Sequence, residues 1–373
     1  MGPLFSKNED KKSNGSNINL SFGNIINEIK KDPEENYKKL KLIGRGSYGS
    51  VYKVQKNNDY YAMKVFDLSE KDNKSKEYIE SEIKILSELK NEYIIKMYET
   101  FTFDKNKICL VMELCEHGDL FQLILNKKLS NTKFTESEVK NYLYEICQGL
   151  DYLHKHKIIH RDLKSMNIFL TKDNHIKIGD FGVSKKLINN NIFAYTFIGT
   201  PYYLSPEMCR NKAYDEKTDM WSLGCILYEL ITFKKPFEST SQMGIFMKIL
   251  SDPPAPLEKT IKGTYSHKLL NLIYFLLEKN PIKRFSMQQV FNYGIFKILN
   301  SKKSNKNIIK NENININDNN KFVKEKSSQK IMVNSGPVRP ERKDNNDSKR
   351  IRMNPSNKNQ SQTLVNIFLI FCI

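Results

Sequence analysis

The most constraining feature of this sequence is the string His160-Arg161-Asp162-Leu163-Lys164-Ser165-Met166-Asn167, which is followed by Asp180-Phe181-Gly182. The string holds an Asp that can accept the proton of a hydroxyl, a Lys that can neutralise a phosphate and an Asn that can hold a metal ion. An Asp-Phe-Gly triplet alone is usually only a turn. Its order and spacing here predict a phosphoryl-transfer site with Asp162 and Lys164 as catalytic residues and Asn167 and Asp180 as Mg²⁺ ligands.

A glycine-rich string, Gly44-Arg45-Gly46-Ser47-Tyr48-Gly49-Ser50-Val51, precedes that site in the chain. By itself the pattern is weak, because many Gly-rich turns match it. A Walker A loop would need Lys-Ser/Thr after the last glycine, and a dinucleotide fingerprint would need a helix there. Ser50-Val51 follows instead, and a strand pattern continues to Val54. A hairpin whose backbone N–H groups approach phosphates is the interpretation that remains.

Two charged residues lie between these strings. Lys64 falls in a predicted strand after the small residue Ala62, and Glu82 lies between Ile79 and Ile83 on a helix predicted for residues 76–90. As isolated residues both would usually be solvated surface charges. Between the glycine-rich string and the His160–Asn167 string, they predict an ion pair that holds Lys64 against the α- and β-phosphates of a nucleotide. Lys64 is therefore predicted as a third catalytic residue.

The order of elements predicts an α+β fold. Short β-favouring runs come first, including Ile94–Phe103 and Lys107–Glu113, and helical patterns dominate afterwards. Thr135-x-x-Glu138 is a capping box that predicts the start of a long helix reaching about His154. We therefore expect a small β-rich lobe with one main helix at about 37–113 and a larger helical lobe at about 117–300.

The flanks of this domain, residues 1–36 and 301–373, are polar and are predicted to be disordered. Of the formal charge of +18, half lies in 301–373, which has 15 Lys/Arg and 6 Asp/Glu. The basic tail could dock acidic partners, bind nucleic acid without specificity, or serve as a solvated linker. Its apolar end, Leu364–Ile373, is too short to span a bilayer and is read as a docking peptide or an erroneous reading frame.

The cysteines and the N-terminus bear on location. Six cysteines without C-x-x-C spacing favour a reducing compartment, and no signal peptide is visible. Gly2 and Ser6 match a crude myristoylation pattern, which Pro3 disfavours. We expect a cytoplasmic or nuclear protein without a membrane span or a specific nucleic-acid partner.

From about Tyr37 to Asn300 the chain resembles the protein kinases, and within them the NIMA-related (NEK) family. The features typical of that branch are the strings His160–Leu170, Ile198–Glu207 and Cys115–Leu120. The resemblance implies the two-lobed kinase fold and a serine/threonine kinase that uses ATP with Mg²⁺, for which Mn²⁺ could substitute. It also implies protein substrates in cell-cycle, microtubule or division control. His117 departs from the usual Gly, and no long coiled coil follows, so we expect a monomer or a transient dimer.

The resemblance also assigns individual residues. Val51 and Ala62 would cover the purine, Met112 would stand behind it, and Glu113 and Cys115 would offer backbone groups to the base. Glu207 would pair with Arg284, and Asp219 would support the catalytic loop. The full set expected to bind the nucleotide is Ile43, Gly44, Gly46, Gly49, Val51, Ala62, Lys64, Glu82, Met112, Glu113 and Cys115.

The segment from Asp180 to Glu207 is long enough to act as an activation loop. We expect phosphorylation at Thr196, by an upstream kinase or by a second copy of the chain, with Arg161 and nearby Lys185 clamping the phosphate. Thr200 is expected to contact Asp162 and Lys164 and shape the substrate groove, with phosphorylation as its alternative role. Other readings of the chain are a kinase that activates other kinases, a pseudokinase scaffold, or a binding protein that acts through its tail.

Overall fold

The computed structural model describes residues 30–31, 36–46, 49–69, 71, 73–103, 106–182, 185–186 and 201–296. The predicted sites Thr196 and Thr200, both termini and the apolar end of the tail lie outside these residues. None of the helices in the described ranges is long and apolar enough to cross a membrane.

The first lobe is a twisted sheet with one helix packed on it. Its strands run in the order β1-β5-β6-β4-β3-β2, and β2 to β6 pair antiparallel. The elements are β1 (Lys30–Lys31), β2 (Lys38–Gly46), β3 (Gly49–Lys56), β4 (Asp59–Asp67), α1 (Asn73–Glu88), β5 (Met97–Phe103) and β6 (Lys107–Glu113). The register pairs Val51 with Lys64 and Ala62 with Met112, so these side chains share one face of the sheet.

The second lobe is mostly helical, which confirms the predicted α+β class. Its helices are α2 (Leu120–Leu129), α3 (Glu136–Lys155), α4 (Pro206–Cys209), α5 (Lys217–Thr232), α6 (Gln242–Ser251), α7 (Lys259–Lys262), α8 (His267–Leu276) and α9 (Met287–Asn292). Its strands are β7 (Ile158–Ile159), β8 (Ile168–Leu170), β9 (Ile176–Ile178) and β10 (Lys185–Lys186), and a 3-10 turn spans Ser165–Asn167.

Helix α5 is the centre of the second lobe, since every residue from Thr218 to Ile231 is buried. Gly224 lets α8 approach it closely. A Cβ at that position would lie 2.8 Å from the Cβ of Leu276, which is shorter than a carbon–carbon contact allows. The packing of α5 on α8 therefore requires the glycine.

A buried ion pair links helix α4 to the segment between α8 and α9, as the resemblance implied. Both guanidinium nitrogens Nη1 and Nη2 of Arg284 contact Glu207, at 2.6 and 2.9 Å. Arg284 also donates to the carbonyls of Lys217 and Glu278, at 2.7 and 2.8 Å. Arg284 is fully buried, so its charge is stabilised by protein partners, which also include the Lys279 carbonyl and the ring of Trp221.

Two sequence predictions differ from the structure. Lys30 and Lys31, placed in a segment predicted to be disordered, pair in parallel with Phe101 and Thr102. Strand β5 has backbone groups on its outer side that β6 leaves unpaired and that can pair with another segment, and the polar composition of residues 1–36 does not reveal this pairing. The strand predicted from Ile94 begins only at Met97, because the segment before it turns toward the second lobe. There the N–H of Ile95 donates to the carbonyl of Ile178 at 2.9 Å.

Candidate active site

An ion pair between the two lobes anchors the site. Lys64 Nζ lies 2.7 Å from Glu82 Oε1 and 3.3 Å from Asp180 Oδ1. Burial opposes the charge on Lys64, but the carboxylates of Glu82 and Asp180 outweigh it and raise the pKa of Lys64 above its ordinary value. The ammonium is therefore held in its charged form, as a phosphate ligand must be. The predicted Lys64–Glu82 pair is present.

Helix α1 places Glu82 by burying one face against the sheet. Ile79, Ile83 and Leu86 are buried on that face together with Glu82, which is 1% exposed. The carboxylate oxygen Oε2 of Glu82 has no hydrogen-bond partner in the described part of the chain. Lys64 is thus the cation that offsets the burial of Glu82.

The catalytic loop brings its three predicted residues together. Lys164 Nζ lies 2.8 Å from Asp162 Oδ2, and Asn167 Nδ2 donates to the same oxygen at 3.0 Å. Asn167 Nδ2 also donates to the Asp162 carbonyl at 2.8 Å, which fixes the carboxylate on the 3-10 turn. The Asp162 side chain remains 40% exposed, so a hydroxyl can reach it.

The loop is supported from behind by Asp219 of α5, as the resemblance implied. Its carboxylate accepts the N–H groups of His160 at 2.9 Å and Arg161 at 3.0 Å. Arg161 has φ of 73°, a left-handed conformation that these bonds hold in place. Burial opposes the charge of Asp219, but the hydrogen bonds from His154 and from the Arg161 N–H keep its pKa below the ordinary value.

His154 is a site residue that the sequence analysis missed. Its Nε2 lies 2.9 Å from Asp219 Oδ2, from helix α3. In the sequence it is one of several polar residues at the end of a helix, and only the tertiary fold brings it to Asp219.

The second predicted metal ligand lies beside the first. The N–H of Gly179 donates to the Asn167 carbonyl at 3.0 Å, which places Asp180 next to the catalytic loop. The Asp180 side chain is 44% exposed, and although desolvation by the protein around it opposes its charge, Lys64 and Lys164 hold its pKa below the ordinary value. The amide nitrogen of Asn167 donates hydrogen bonds within the loop, so its carboxamide oxygen and the Asp180 carboxylate are the atoms that can bind a metal ion. Hard oxygen ligands of this kind fit a divalent metal bound together with phosphates.

The ends of the glycine-rich string lie on the antiparallel strands β2 and β3, where Gly46 pairs with Gly49, and Ser47 and Tyr48 between them lie outside the described residues. A Cβ at position 49 would lie 2.3 Å from the Val65 carbonyl oxygen, so a glycine is required there. At Gly44 a Cβ would meet only ordinary contacts. Ile43 is 45% exposed before the turn.

Residues expected around the base lie in strands β4 and β6 and in the segment that follows β6. Ala62 is buried and Met112 is half-buried beside it. The N–H of Glu113 already donates to the Lys96 carbonyl at 2.9 Å, so it is unavailable to a base. Burial, with a smaller effect of Glu113, raises the pKa of the Cys115 thiol to about 12.

Arg161 has a partner that the sequence did not predict. Its Nε donates to the Tyr214 hydroxyl at 2.7 Å, and the guanidinium lies 5.2 Å from the centre of the tyrosine ring. For Lys185 only its backbone pairing with Ile159 is described. The expected clamp of Arg161 and Lys185 on a phosphorylated Thr196 therefore stays a prediction.

A two-lobed fold with a Lys–Glu pair in the first lobe, an Asp from the second lobe in contact with that Lys, and an Asp-Lys-Asn loop beside it defines a protein kinase. The protein kinase domain family matches residues 37–296, and the chain belongs to that family.

Its relatives include serine/threonine-protein kinases of the Nek group. It is 38% identical to Nek1 of Mus musculus over 70% of this chain and 21% of that protein. It is 38% identical to Nek3 of Mus musculus over 67% of this chain and 47% of that protein. It is 34% identical to Nek9 of Xenopus laevis over 74% of this chain and 29% of that protein. The matched region is therefore a serine/threonine kinase domain of the NEK type, which confirms the resemblance. It spans between about a fifth and a half of the length of these relatives.

Proposed function

We propose that this protein transfers the γ-phosphate of Mg-ATP to serine and threonine hydroxyls of protein substrates. The observation that carries the proposal is that Lys64, Glu82 and Asp180 meet in one contact cluster across the two lobes. A pseudokinase would typically lack one of the groups in this cluster or in the catalytic loop.

The chain's own residues divide the work. Asp162 orients the acceptor hydroxyl and accepts its proton, and Lys164, 2.8 Å away, neutralises the charge that develops on the phosphate. Lys64 would hold the α- and β-phosphates, while Asn167 and Asp180 would hold the metal. A bound Mg²⁺ would supply positive charge that offsets the negative charge of the phosphates. Positioning and electrostatics of this kind account for most catalysis of phosphoryl transfer.

Regulation and cellular role are parts of the same proposal that rest on resemblance. Phosphorylation of Thr196, by an upstream kinase or by a second copy, would release Arg161 from Tyr214 and give it a phosphate partner. The NEK type of the domain supports substrates in cell division or microtubule control, in the cytoplasm or the nucleus. A monomer or a transient dimer would suffice for this activity.

The test is transfer of labelled γ-phosphate from Mg-ATP to a generic protein substrate by the full chain, before and after treatment with an activating kinase. Lys64→Met and Asp162→Asn should each lower the rate by at least about a hundredfold, because each removes a group that stabilises the transition state. Lys234→Met, which breaks an exposed ion pair, is the matched control.

Transfer to Ser/Thr by the parent and Lys234→Met alone supports the proposal. Absence of transfer even after Thr196 is phosphorylated would favour a scaffold. A Thr196→Ala protein with full activity, purified without phosphate, would remove Thr196 from the regulatory scheme.

A further inference from the structure

A second charged cluster lies next to the catalytic loop and has no role in the chemistry above. Its centre is Glu229 on helix α5, which is 3% exposed. The ammonium of Lys235 contacts Glu229 Oε1, and the Tyr203 hydroxyl donates to Glu229 Oε2 at 2.5 Å. The Lys235 side chain is 15% exposed, so the cluster lies just below the surface.

The fold brings Lys235 to this position by a sharp turn after α5. Phe233 ends the helix in a left-handed conformation with φ of 58°. The chain then reverses, and Lys235 reaches back toward Glu229 on the preceding turns. Its ammonium also contacts the Tyr203 hydroxyl and lies 4.5 Å from the centre of that ring, and it lies 5.7 Å from the Phe121 ring on α2.

The cluster is connected directly to the catalytic loop. Ser165, which follows Lys164, has its hydroxyl 2.9 Å from the Tyr203 hydroxyl. A peptide whose acceptor hydroxyl reaches Asp162 extends by roughly 3.3 Å per residue on either side. Residues flanking the acceptor therefore pass within reach of side chains that contact this loop.

A second carboxylate, that of Asp119, lies close enough to Glu229 for their charges to interact, and we call the place shared by Asp119, Glu229 and Lys235 the acidic recess. Asp119 caps the N-terminus of α2, where it accepts the N–H of Gln122 at 2.8 Å. Burial raises the pKa of Asp119 to about 6, although hydrogen bonds from the cap oppose the shift, and the negative charge of Glu229 adds to it. Without Lys235, two acids beside the substrate path would share a recess suited to a guanidinium or an ammonium.

We propose that Lys235 is a built-in counter-ion that occupies this acidic recess and makes the kinase discriminate against substrates with Arg or Lys near the acceptor. A substrate cation would have to displace Lys235 from Glu229 and would be repelled by it until then. Neutral and apolar residues meet no such cost. This inference rests on the proposed kinase function and adds a specificity-determining residue to it.

The test uses the full chain and short peptides that carry one central serine and a single Arg, Leu or Glu at each flanking position in turn. Lys235→Met keeps the apolar stem and removes the charge, leaving Glu229 free to pair with the peptide. We expect the ratio of kcat/KM for Arg over Leu to rise by about tenfold or more at one flanking position. Lys234→Met, one residue earlier and paired with exposed Glu258, should leave the ratio unchanged.

A second variant, for which the opposite change in charge preference is expected, tests the inference even if Lys235→Met does not fold. Glu229→Gln leaves Lys235 without its carboxylate, and the ammonium can turn toward water because it lies near the surface. That variant should use Glu-containing peptides better and Arg-containing peptides worse than the parent. Thermal unfolding of each variant identifies which of them is folded.

The outcomes separate this inference from the kinase function. If the folded variants phosphorylate the Leu peptide but their Arg and Glu ratios match the parent at every position, the role of Lys235 is wrong. If the parent phosphorylates no peptide, the proposed function fails. Fluorescence anisotropy of the same peptides, labelled with a fluorophore and bound to Asp162→Asn protein with and without Lys235→Met, then decides whether Lys235 sets the charge preference.

Discussion

At the scale of single residues, burial sets the charge states around the site. Lys64 and Asp180 stabilise each other as ions, whereas Asp119 sits in a recess where its charged form is disfavoured. The first two can therefore bind phosphate and metal over a wide pH range. Asp119 titrates near neutrality, and its effect on stability can be measured.

The pH dependence of folding gives a prediction for Asp119. Its folded pKa of about 6 lies above the ordinary value of 3.8. The stability it contributes is therefore fully present below the unfolded pKa and is lost as pH rises through the folded pKa. Two pKa units correspond to at most about 3 kcal/mol. Asp119→Asn keeps the helix cap and removes the titration.

Urea unfolding between pH 4 and 7 tests this. Relative to the parent, Asp119→Asn should become more stable as the pH rises, by up to about 3 kcal/mol. Asp59→Asn, at the exposed start of β4, serves as the comparison. A constant difference between Asp119→Asn and the parent across this range would contradict the raised pKa.

The residues of the reaction could be predicted from the sequence because they occur in short strings with fixed internal order. Asp162, Lys164 and Asn167 are neighbours in the chain, so one string places all three. His154, Tyr214 and Lys235 could not be predicted in this way. His154 and Tyr214 gain their partners only when segments more than fifty residues apart in the sequence have packed. Lys235 gains Glu229, six residues earlier, only through the left-handed turn at Phe233. Nothing in the local pattern of these three residues sets them apart from surface residues.

At the scale of elements, the sequence predicted a helix boundary correctly where the hydrogen bonds join residues only a few positions apart. The capping box predicted for α3 is present: the Glu138 N–H donates to Thr135 Oγ1 at 3.2 Å, and the Thr135 N–H donates to Glu138 Oε2 at 2.6 Å. Strand β1 was missed because its pairing partner is about seventy residues away. The start of β5 was misplaced because Ile95 bonds to the second lobe instead of the sheet.

The cap of α3 gives a prediction at this scale. Thr135→Ala removes the acceptor for the Glu138 N–H and should lower the free energy of unfolding by about 1 kcal/mol. Glu138→Gln keeps both partners of a capping box and should cost much less. Chemical denaturation of the two variants and the parent measures the difference. Equal losses in the two variants would show that the charge of Glu138, which also pairs with Lys127, matters more than the cap.

At the scale of the whole molecule, the nucleotide site joins the two lobes. Lys64 and Glu82 belong to the first lobe, and Asp180 and Asn167 to the second, so a ligand that contacts all four should stabilise the domain as a unit. At about a hundredfold excess over Kd, Mg-ATP should add about 2.7 kcal/mol. For a domain of this size that is a rise in Tm of roughly 5–10 °C.

Thermal unfolding with Mg-ATP, with ATP and EDTA, and with no ligand measures this effect. The shift should be largest with the metal, and Asp180→Asn should lose the metal-dependent part because it removes a ligand oxygen charge. Lys234→Met should behave like the parent. A shift of the same size with and without EDTA in the parent would mean that Asn167 and Asp180 do not hold the metal.

The buried pair of Glu207 and Arg284 also limits the routes by which this domain can change over generations. Arg284 uses Nε, Nη1 and Nη2 at once to donate hydrogen bonds to a carboxylate and to several carbonyls, and a lysine cannot reproduce that fork. Loss of either partner alone would strand a buried charge, so any path to a different pair crosses a deep fitness valley. We expect Glu207 and Arg284 to be retained while the surface of the second lobe accumulates substitutions.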